Sequence, residues 1–244
     1  MRIDIAAACR RAIGIWRRDR DTIVAVAGVF FFLPNLAMGL FMAPDAAAAQ
    51  GAPGDQQAFL AALQRYVADN MHWLALQAVA EIVGVAVLLF LLLDPARPTV
   101  GEALRATFAR LPVLLAAVLL VSAAKLVGAL LFLLPMLYVI GRVFVVLPVF
   151  VAERERRFGD AMSRALALTD GQVIPLLALS ALLYFGGQFV ALLLSATAGA
   201  VSAGGGNPVT HAMLAAAVAA VGAAMSIAFT LVRATVYQGL ASKG

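Results

Sequence analysis

The chain has 244 residues, a formal net charge of +5 and only 13% charged residues, while 64% of its residues are hydrophobic. A soluble domain is roughly half apolar and about a quarter charged. The composition therefore excludes an ordinary soluble enzyme and indicates an integral membrane protein. At about 20 residues per membrane crossing, the length suits a single polytopic membrane domain over residues 1–244 and leaves no room for a separate catalytic domain.

Six apolar segments predict an all-α membrane protein with about six transmembrane helices. The predicted spans lie near residues 22–42, 73–93, 113–134, 136–152, 173–200 and 211–232. The third and fourth belong to one apolar run, 112–152, which is too long for a single crossing of a core roughly 30 Å thick. We place the division at Pro135, because proline ends or kinks the helix that precedes it.

The basic residues predict the orientation, because cytoplasmic loops carry an excess of Lys and Arg. With the N-terminus inside, the outer loops hold only Arg65. The inner side then holds Arg2, Arg10, Arg11, Arg17, Arg18, Arg20, Arg97, Arg105, Arg110, Arg154, Arg156, Arg157, Arg164, Arg233 and Lys243. We therefore expect a protein of the bacterial cytoplasmic (inner) membrane with both termini in the cytoplasm. Since these cations flank hydrophobic spans, we expect them to orient the chain and not to bind nucleic acid.

Three segments that precede odd-numbered spans are predicted to be amphipathic helices on the cytoplasmic surface. They cover residues 10–18, 101–111 and 159–170, and each combines an apolar stripe with arginine. Basic amphipathic helices lie flat at the headgroup boundary, and anionic lipid attracts their exposed arginines. The candidate headgroup contacts are Arg10, Arg11, Arg17, Arg18, Arg105 and Arg164.

Two of these segments are similar to each other, which favours an internal repeat. Residues 101–104 (Gly-Glu-Ala-Leu) correspond to 159–162 (Gly-Asp-Ala-Met), and the spans that follow are marked by Pro112 and Pro175. The predicted unit is an interfacial helix, a span, an outer turn and a second span, occurring three times. Membrane folds built from repeats often place a site at the repeat interface.

The outer segment 43–72 is the largest stretch between spans. Its first half contains prolines and glycines, and Asp55 is a suitable N-cap for a helix in its second half. Phe59, Leu63 and Tyr66 then recur at helical spacing. We predict a helix that lies on the outer surface, with Trp73 as an anchor at the membrane interface.

The stretch 134–177 contains a spaced pattern of prolines and charged residues. A proline follows an apolar helix, an arginine lies in the next helix, and a proline and a glutamate follow before a helix that ends in threonine and glycine. The residues are Leu134, Pro135, Tyr138, Arg142, Pro148, Glu153 and the run 160–171, together with 234–238 near the end of the sequence. This pattern resembles the membrane domain attached to some bacterial glycerophosphoryl diester phosphodiesterases, which also occurs as stand-alone membrane proteins of unknown activity.

The resemblance implies a membrane domain and not the phosphodiesterase reaction, which needs a separate metal-dependent barrel. The chain departs from the pattern at Met136, where the family usually has glycine, and at Ala165, where serine is common. Asp170 stands where a basic residue is common. These departures weaken any transfer of lipid-headgroup contacts to the loop around Asp170.

Signals of catalysis are nearly absent from the sequence. His72 and His211 lie in distant outer loops, no serine or cysteine has the context of a nucleophile, and no acidic pair is spaced for acid–base work. The charged run 153–157 is predicted to be a solvated helix end. We therefore expect no catalytic residue, no metal site, no cofactor and no enzymatic activity.

Three ionisable residues, Glu81, Lys125 and Arg142, fall inside predicted spans. Each costs about 2.5–3.5 kcal/mol at the centre of a membrane helix on insertion scales, so each needs a partner or water. Three interpretations remain open: an ion, proton or substrate path; a structural ion cluster; and snorkelling to the interface. Counting from the outer ends of the spans, we predict that Glu81 pairs with Lys125 or Arg142 in the outer half of the bundle. We expect Gln77 or Gln188 nearby, and Arg142 as the cation left for water or an anionic group.

Two hypotheses for the function follow. The first is a non-enzymatic membrane component that interacts with membrane lipids, anionic ones in particular, or with a membrane protein or a second copy of itself. The alternative is a small transporter or lipid-handling protein that uses a cavity around Glu81, Lys125 and Arg142. A cavity lined by Glu81 and Arg142 would favour transport, whereas dry packing around these charges would favour the first hypothesis.

Overall fold

The computed structural model describes residues 4–42, 56–131, 133–203 and 207–242. All regular elements within these residues are helices. The elements are α1 (Ile5–Ala27), a π-helical segment (Gly28–Phe32), α2 (Leu33–Phe41), α3 (Gln56–Leu93), α4 (Val100–Leu131), α5 (Leu133–Arg142), α6 (Val146–Ala152), α7 (Phe158–Leu168), α8 (Val173–Ala203) and α9 (Pro208–Ala241).

Six helical segments in the described part of the chain are long and apolar enough to cross a membrane. They are Ile5–Phe41, Gln64–Leu93, Val100–Leu131, Pro135–Ala152, Val173–Leu194 and Val209–Ala241. The prediction of an all-α membrane protein with about six spans is confirmed. The segment 43–55, including the proposed N-cap Asp55, lies outside the described residues, as do Arg2, Lys243 and the glycines 204–206.

The first span forms one helical rod with the amphipathic segment before it. Asp4 caps α1, because its Oδ1 accepts the backbone N–H of Ala7 at 2.8 Å. Asp19 leaves helical geometry (φ −115°, ψ 18°) and so separates the arginine-rich turns from the apolar ones. The first predicted interfacial helix is therefore the N-terminal arm of α1. This arm packs along α9, and the guanidinium of Arg11 lies beside Gly239.

The second span continues into the segment that was expected to lie on the membrane surface. Helix α3 has 38 residues and is therefore about 57 Å long at 1.5 Å per residue, well beyond a core of roughly 30 Å. The prediction of a separate surface helix before Trp73 is wrong. Residues 56–72 contain no glycine or proline, so nothing in the sequence interrupts the helix where it would have to turn.

The third span likewise includes its predicted interfacial helix. Thr99 and Glu102 form a capping box at the start of α4: the backbone N–H and the hydroxyl of Thr99 donate to Glu102 Oε2 at 2.7 and 2.9 Å. The helix then runs through Pro112 to Leu131; helices in membranes tolerate proline when neighbouring groups satisfy the freed carbonyl. Of the three predicted interfacial segments, α7 is a separate helix and the first is set off from its span by the kink at Asp19, whereas the second continues into α4.

The fourth span is broken. Helix α5 ends at Arg142, residues 143–145 form a turn, and α6 begins at Val146. Pro148 explains the position, because its ring clashes with the carbonyl four residues earlier, that of Phe144, and it has no N–H to donate. Non-helical backbone at membrane depth must be covered by protein, and Phe144 and Val145 are buried.

Five of the described helices form a closed ring of packed neighbours. Helix α3 packs against α4, α4 against α5, α5 against α8, α8 against α9, and α9 against α3. The rod made by α1, the π-helical segment and α2 packs outside this ring, against α9 and α3, while α6 contacts α3, α4, α7 and α9. Glycine permits close approaches: Gly84 meets the ring of Phe31 and the Cβ atom of Phe30, and Gly187 meets Met225.

Candidate functional site: the charged interior and the broken fourth span

Arg233 on α9 is the most unusual charged residue of the bundle. Its guanidinium carbon lies 5.6 Å from the ring centre of Phe144, at the break in the fourth span, and 5.5 Å from that of Phe229. Its Nε is buried and has no hydrogen-bond partner among the described residues. Within those residues Arg233 also has no ion pair. Two aromatic faces therefore hold the cation, and its hydrogen-bond donors remain available.

Glu81 on α3 and Lys125 on α4 are not paired with Arg233. No ion pair within 4.0 Å joins these three groups in the described part of the chain. Glu81 is exposed, and Lys125 is partly buried.

The predicted ion pair of Glu81 with Lys125 or Arg142 is not formed. Glu81 is exposed, and no cation lies within ion-pair distance of its carboxylate among the described residues. The two amides expected nearby are engaged elsewhere. The Nε2 of Gln77 donates to Asn35 Oδ1 at 2.8 Å, and that of Gln188 donates to the hydroxyl of Tyr184 at 3.0 Å.

Arg142 lies apart from this group. Its Nη1 contacts Asp170 Oδ1 at 3.0 Å, and its guanidinium lies 5.9 Å from the ring centre of Tyr138. Helix α5 ends at Arg142. Gly141 there packs directly against Val173, the first residue of α8. Arg142 therefore belongs to the junction of α5 with α8, and its expected free cation is already paired.

Thr169 satisfies the backbone that the break leaves open. In a continuous helix the carbonyl of Arg142 would accept the N–H of Val146, but that N–H bonds to Val143 O at 3.2 Å. The hydroxyl of Thr169 instead donates to the carbonyl of Arg142 at 3.0 Å, and shares its single proton with the carbonyls of Leu166 at 3.0 Å and Ala165 at 3.2 Å. The turn that carries Thr169 closes at Gly171, whose φ of +68° suits glycine.

Glu153 joins three elements at the side of the bundle that carries both termini. Its Oε1 accepts the hydroxyl of Tyr237 on α9 at 3.1 Å and lies 3.6 Å from Nε of Arg164 on α7, while Oε2 contacts Arg156. Glu153 is partly buried, so the expectation of a solvated helix end is wrong for this residue. The same side holds a contact of 3.4 Å between Arg154 and Asp94.

The candidate headgroup contacts separate into two groups. Arg10, Arg11, Arg17, Arg18 and Arg105 are exposed, and Arg18 pairs with Asp19 at 2.8 Å. Arg164 is partly buried and turned towards Glu153. The first five residues can reach a headgroup, whereas Arg164 is held within the protein.

An apolar groove of about 640 Å³ runs between α4 and α5. Its lining residues are small or hydrophobic: Leu120, Ala123, Ala124, Val127, Gly128, Leu131, Pro135, Tyr138 and Val139. The volume falls within the roughly 300–1,000 Å³ of ligand pockets. Gly128 shapes the floor, because a side chain there would meet the backbone of Met136.

No group of three His, Cys, Asp or Glu residues that could hold a metal ion occurs among the described residues. His72 lies beside Trp73, with ring centres 5.3 Å apart.

Arg233 was not singled out by the sequence analysis, which counted it with the cytoplasmic arginines. One available signal was the continued apolar character of residues 234–240, which extends the final helix beyond Arg233. A second was Phe229, one helical turn earlier, where an aromatic ring can contact the guanidinium.

No family model, no curated protein and no solved structure matches the chain. Several residues of the pattern that resembles the phosphodiesterase membrane domain contact one another. Arg142 meets Thr169 and Asp170, and Glu153 meets Arg164.

Proposed function

We propose that this chain is a non-enzymatic, lipid-interacting protein of the bacterial inner membrane, and that the groove between α4 and α5 holds an acyl chain of a membrane lipid. The observation that carries the proposal is the groove itself, an apolar depression in the side of a membrane-spanning bundle. Both helices that form it belong to candidate spans.

The surroundings of the groove support lipid as the occupant. Side chains next to it on α4 point away from the protein, and Leu130 and Leu126 are 79% and 63% exposed. Such a surface is stable only when hydrocarbon covers it. Tyr138 lines the groove with about half of its surface exposed, and tyrosine suits a boundary between hydrocarbon and polar groups.

The basic residues support an orientation with both termini in the cytoplasm. The loop arginines and lysines are concentrated on the side that carries both termini, which favours a cytoplasmic location for that side. The exposed arginines of α1 and Arg105 on α4 would then face the inner leaflet, where anionic headgroups attract cations. A membrane-protein partner, or a second copy of the chain, remains compatible with this orientation.

A matched pair of substitutions on α4 tests the proposal. Ala124 lines the groove, whereas Ala129 is exposed on the same helix and does not line it. Ala124→Phe should fill the groove and reduce the number of lipids that native mass spectrometry finds on the purified protein. Ala129→Phe should leave that number unchanged. Equal lipid retention in both variants would contradict the proposal.

The break in the fourth span favours a second candidate, a small transporter or lipid-handling protein. Discontinuous helices form the substrate sites of many transporters, and here the break lies under Arg233. Reconstitution with fluorescent lipid separates the candidates. A lipid binder leaves the inner-leaflet dye protected from externally added dithionite, whereas a protein that moves lipid across the membrane exposes the dye of both leaflets.

A further inference from the structure

We infer that the groove between α4 and α5 selects phosphatidylethanolamine, whose zwitterionic headgroup binds the ion pair of Arg142 and Asp170 at one end of the groove. The phosphate of the headgroup accepts hydrogen bonds from Arg142, and its ammonium group donates to Asp170. The inference rests on the proposed function, because it takes the groove to hold an acyl chain, and it adds the class of lipid.

The first argument is the position of Arg142 on the face of α5 that lines the groove. The lining residues of this helix are Pro135, Tyr138 and Val139. Residues three and four apart lie on the same face of a helix, so Arg142 occupies the next turn of that face. Its guanidinium carbon accordingly lies 5.9 Å from the ring centre of Tyr138. The groove therefore has a charged group next to one of its ends.

The second argument is the length of the groove. Its lining residues on α4 extend from Leu120 to Leu131, which is roughly 16 Å at 1.5 Å per residue. This is about half of a hydrocarbon core roughly 30 Å thick, and so about the depth of one leaflet. A lipid with a chain in the groove then has its headgroup at one end. The end at Leu131 and Pro135 is apolar, so the headgroup lies at the end near Arg142.

The third argument is the arrangement of charge at that end. Nη1 of Arg142 lies 3.0 Å from Oδ1 of Asp170, and the two side chains are 19% and 80% exposed. Within the described residues, Nε and Nη2 of Arg142 donate no hydrogen bond to the protein. The pair is neutral as a whole, so it does not attract a headgroup with a net negative charge. A zwitterion, in contrast, complements both of its charges.

The number of N–H donors separates phosphatidylethanolamine from phosphatidylcholine. Both lipids are zwitterionic and offer the same phosphate to Arg142. A primary ammonium group carries three N–H donors, whereas the trimethylammonium group of phosphatidylcholine carries none. An exposed carboxylate accepts a charge-assisted hydrogen bond from an ammonium group. Asp170 therefore favours phosphatidylethanolamine.

The two charged residues are held in position by the protein. The hydroxyl of Thr169 donates to the carbonyl of Arg142 at 3.0 Å, and the turn that carries Asp170 closes at Gly171, whose φ is +68°. A site whose groups are already in place loses less conformational entropy when a ligand binds. The ion pair is thus prepared for the headgroup.

The test offers the purified full chain in detergent an equimolar mixture of phosphatidylethanolamine, phosphatidylcholine and phosphatidylglycerol. Native mass spectrometry then counts the lipids of each class that the protein retains. We expect the wild type to retain phosphatidylethanolamine over either competitor by about two- to fivefold, the factor that an exposed ion pair supplies.

Two matched substitutions of acids test the role of Asp170. Asp170→Asn keeps the shape of the side chain and removes its charge, so it should reduce the retention of phosphatidylethanolamine to that of phosphatidylcholine. Asp160→Asn is the control, because Asp160 is exposed in the first turn of α7 and does not line the groove. This variant should keep the preference of the wild type.

A third substitution tests the contact with phosphate. Arg142→Gln removes the donor that phosphatidylethanolamine and phosphatidylcholine share, so the retention of both should fall. Should this variant fail to fold, Asp170→Asn still decides the inference, because its side chain is largely exposed.

Loss of the preference in Asp170→Asn alone supports the inference. The inference is overturned if the wild type does not prefer phosphatidylethanolamine, if Asp170→Asn keeps the preference, or if Asp160→Asn loses it as well. Unchanged retention of both zwitterionic lipids in a folded Arg142→Gln protein also overturns it.

The results separate this inference from the proposed function. If Ala124→Phe retains less lipid than Ala129→Phe but the wild type shows no preference among the three lipids, the groove stands and the headgroup site falls. If the two alanine variants retain equal lipid while Asp170→Asn removes the preference, the headgroup site stands and the groove falls.

Discussion

The hydroxyl of Thr169 donates to the carbonyl oxygen of Arg142 at 3.0 Å, across 27 residues of sequence. This hydrogen bond satisfies the carbonyl that the broken fourth span leaves open. It also places the turn before α8 against the end of α5, where Asp170 meets the guanidinium of the same arginine. Arg142 is thus held through both its backbone carbonyl and its guanidinium.

Replacing Thr169 by valine should destabilise the protein. Thr169 is fully buried, and valine keeps its shape but leaves the carbonyl of Arg142 unsatisfied, which costs about 1–3 kcal/mol. Thermal unfolding in detergent should therefore show a lower midpoint. Thr169→Ser keeps the hydroxyl and should lie closer to the wild type. A Thr169→Val protein as stable as the wild type would show that the hydrogen bond contributes nothing.

Replacing Glu153 by glutamine should loosen the side of the bundle that carries both termini. The variant loses the charge that holds Arg156 and Arg164 and weakens the acceptor of Tyr237. We expect a loss of roughly 1.5–3 kcal/mol, the range for hydrogen bonds to a charged group, measured as a lower unfolding midpoint.

Glu155→Gln is the matched control for that substitution. Glu155 is two residues away and exposed, and surface substitutions usually change stability by less than about 0.5 kcal/mol. Equal unfolding midpoints for the two variants would contradict the structural role assigned to Glu153.

Replacing Arg233 by methionine should raise the stability of the ligand-free protein. Methionine fills a similar space between Phe144 and Phe229 and removes an unsatisfied buried cation, and apolar replacement of buried charge is often stabilising by about 1–4 kcal/mol. Arg142→Met should not raise the midpoint, because that cation already has a partner in Asp170. A lower unfolding midpoint for Arg233→Met would instead show that the cation stabilises the fold through its aromatic contacts.

Cysteine accessibility should place the N-terminal end of α3 and the C-terminal end of α9 on opposite sides of the membrane. In a Cys9→Ser background, which removes the single native cysteine, Gln64→Cys should react with a membrane-impermeant maleimide in intact spheroplasts. Ser242→Cys should react only after permeabilisation. Both positions are exposed. The reverse pattern of labelling would overturn the proposed orientation.

The fold class could be predicted from the sequence because hydropathy reports which segments leave water. Hydropathy does not separate a lipid-facing residue from a residue packed in protein. The contacts of Glu81, Lys125 and Arg142 could therefore not be predicted from it. Arg142 illustrates the difficulty. Its depth was counted along an uninterrupted helix, but Pro148 ends that helix early, and the partner Asp170 comes from another segment.

The continuity of helices was the second feature that could not be predicted. Amphipathic periodicity at residues 101–111 is the same for a helix that lies on the membrane and for one that continues into it. The capping box of Thr99 and Glu102 marks where α4 begins, but Pro112 was read as a boundary and is instead inside the helix. Whether a proline interrupts a helix depends on packing around the carbonyl it frees.

The length of α3 connects the segment before the second span rigidly to the end of that span. The helix continues without a break from Gln56 to Leu93 and carries the carboxylate of Glu81. Since an α-helix turns about 100° per residue and has no joint along this stretch, a twist applied to the first turns of α3 rotates Glu81 as well. A contact made at the first turns of α3 would in this way move the carboxylate of Glu81, with no ligand entering the bundle.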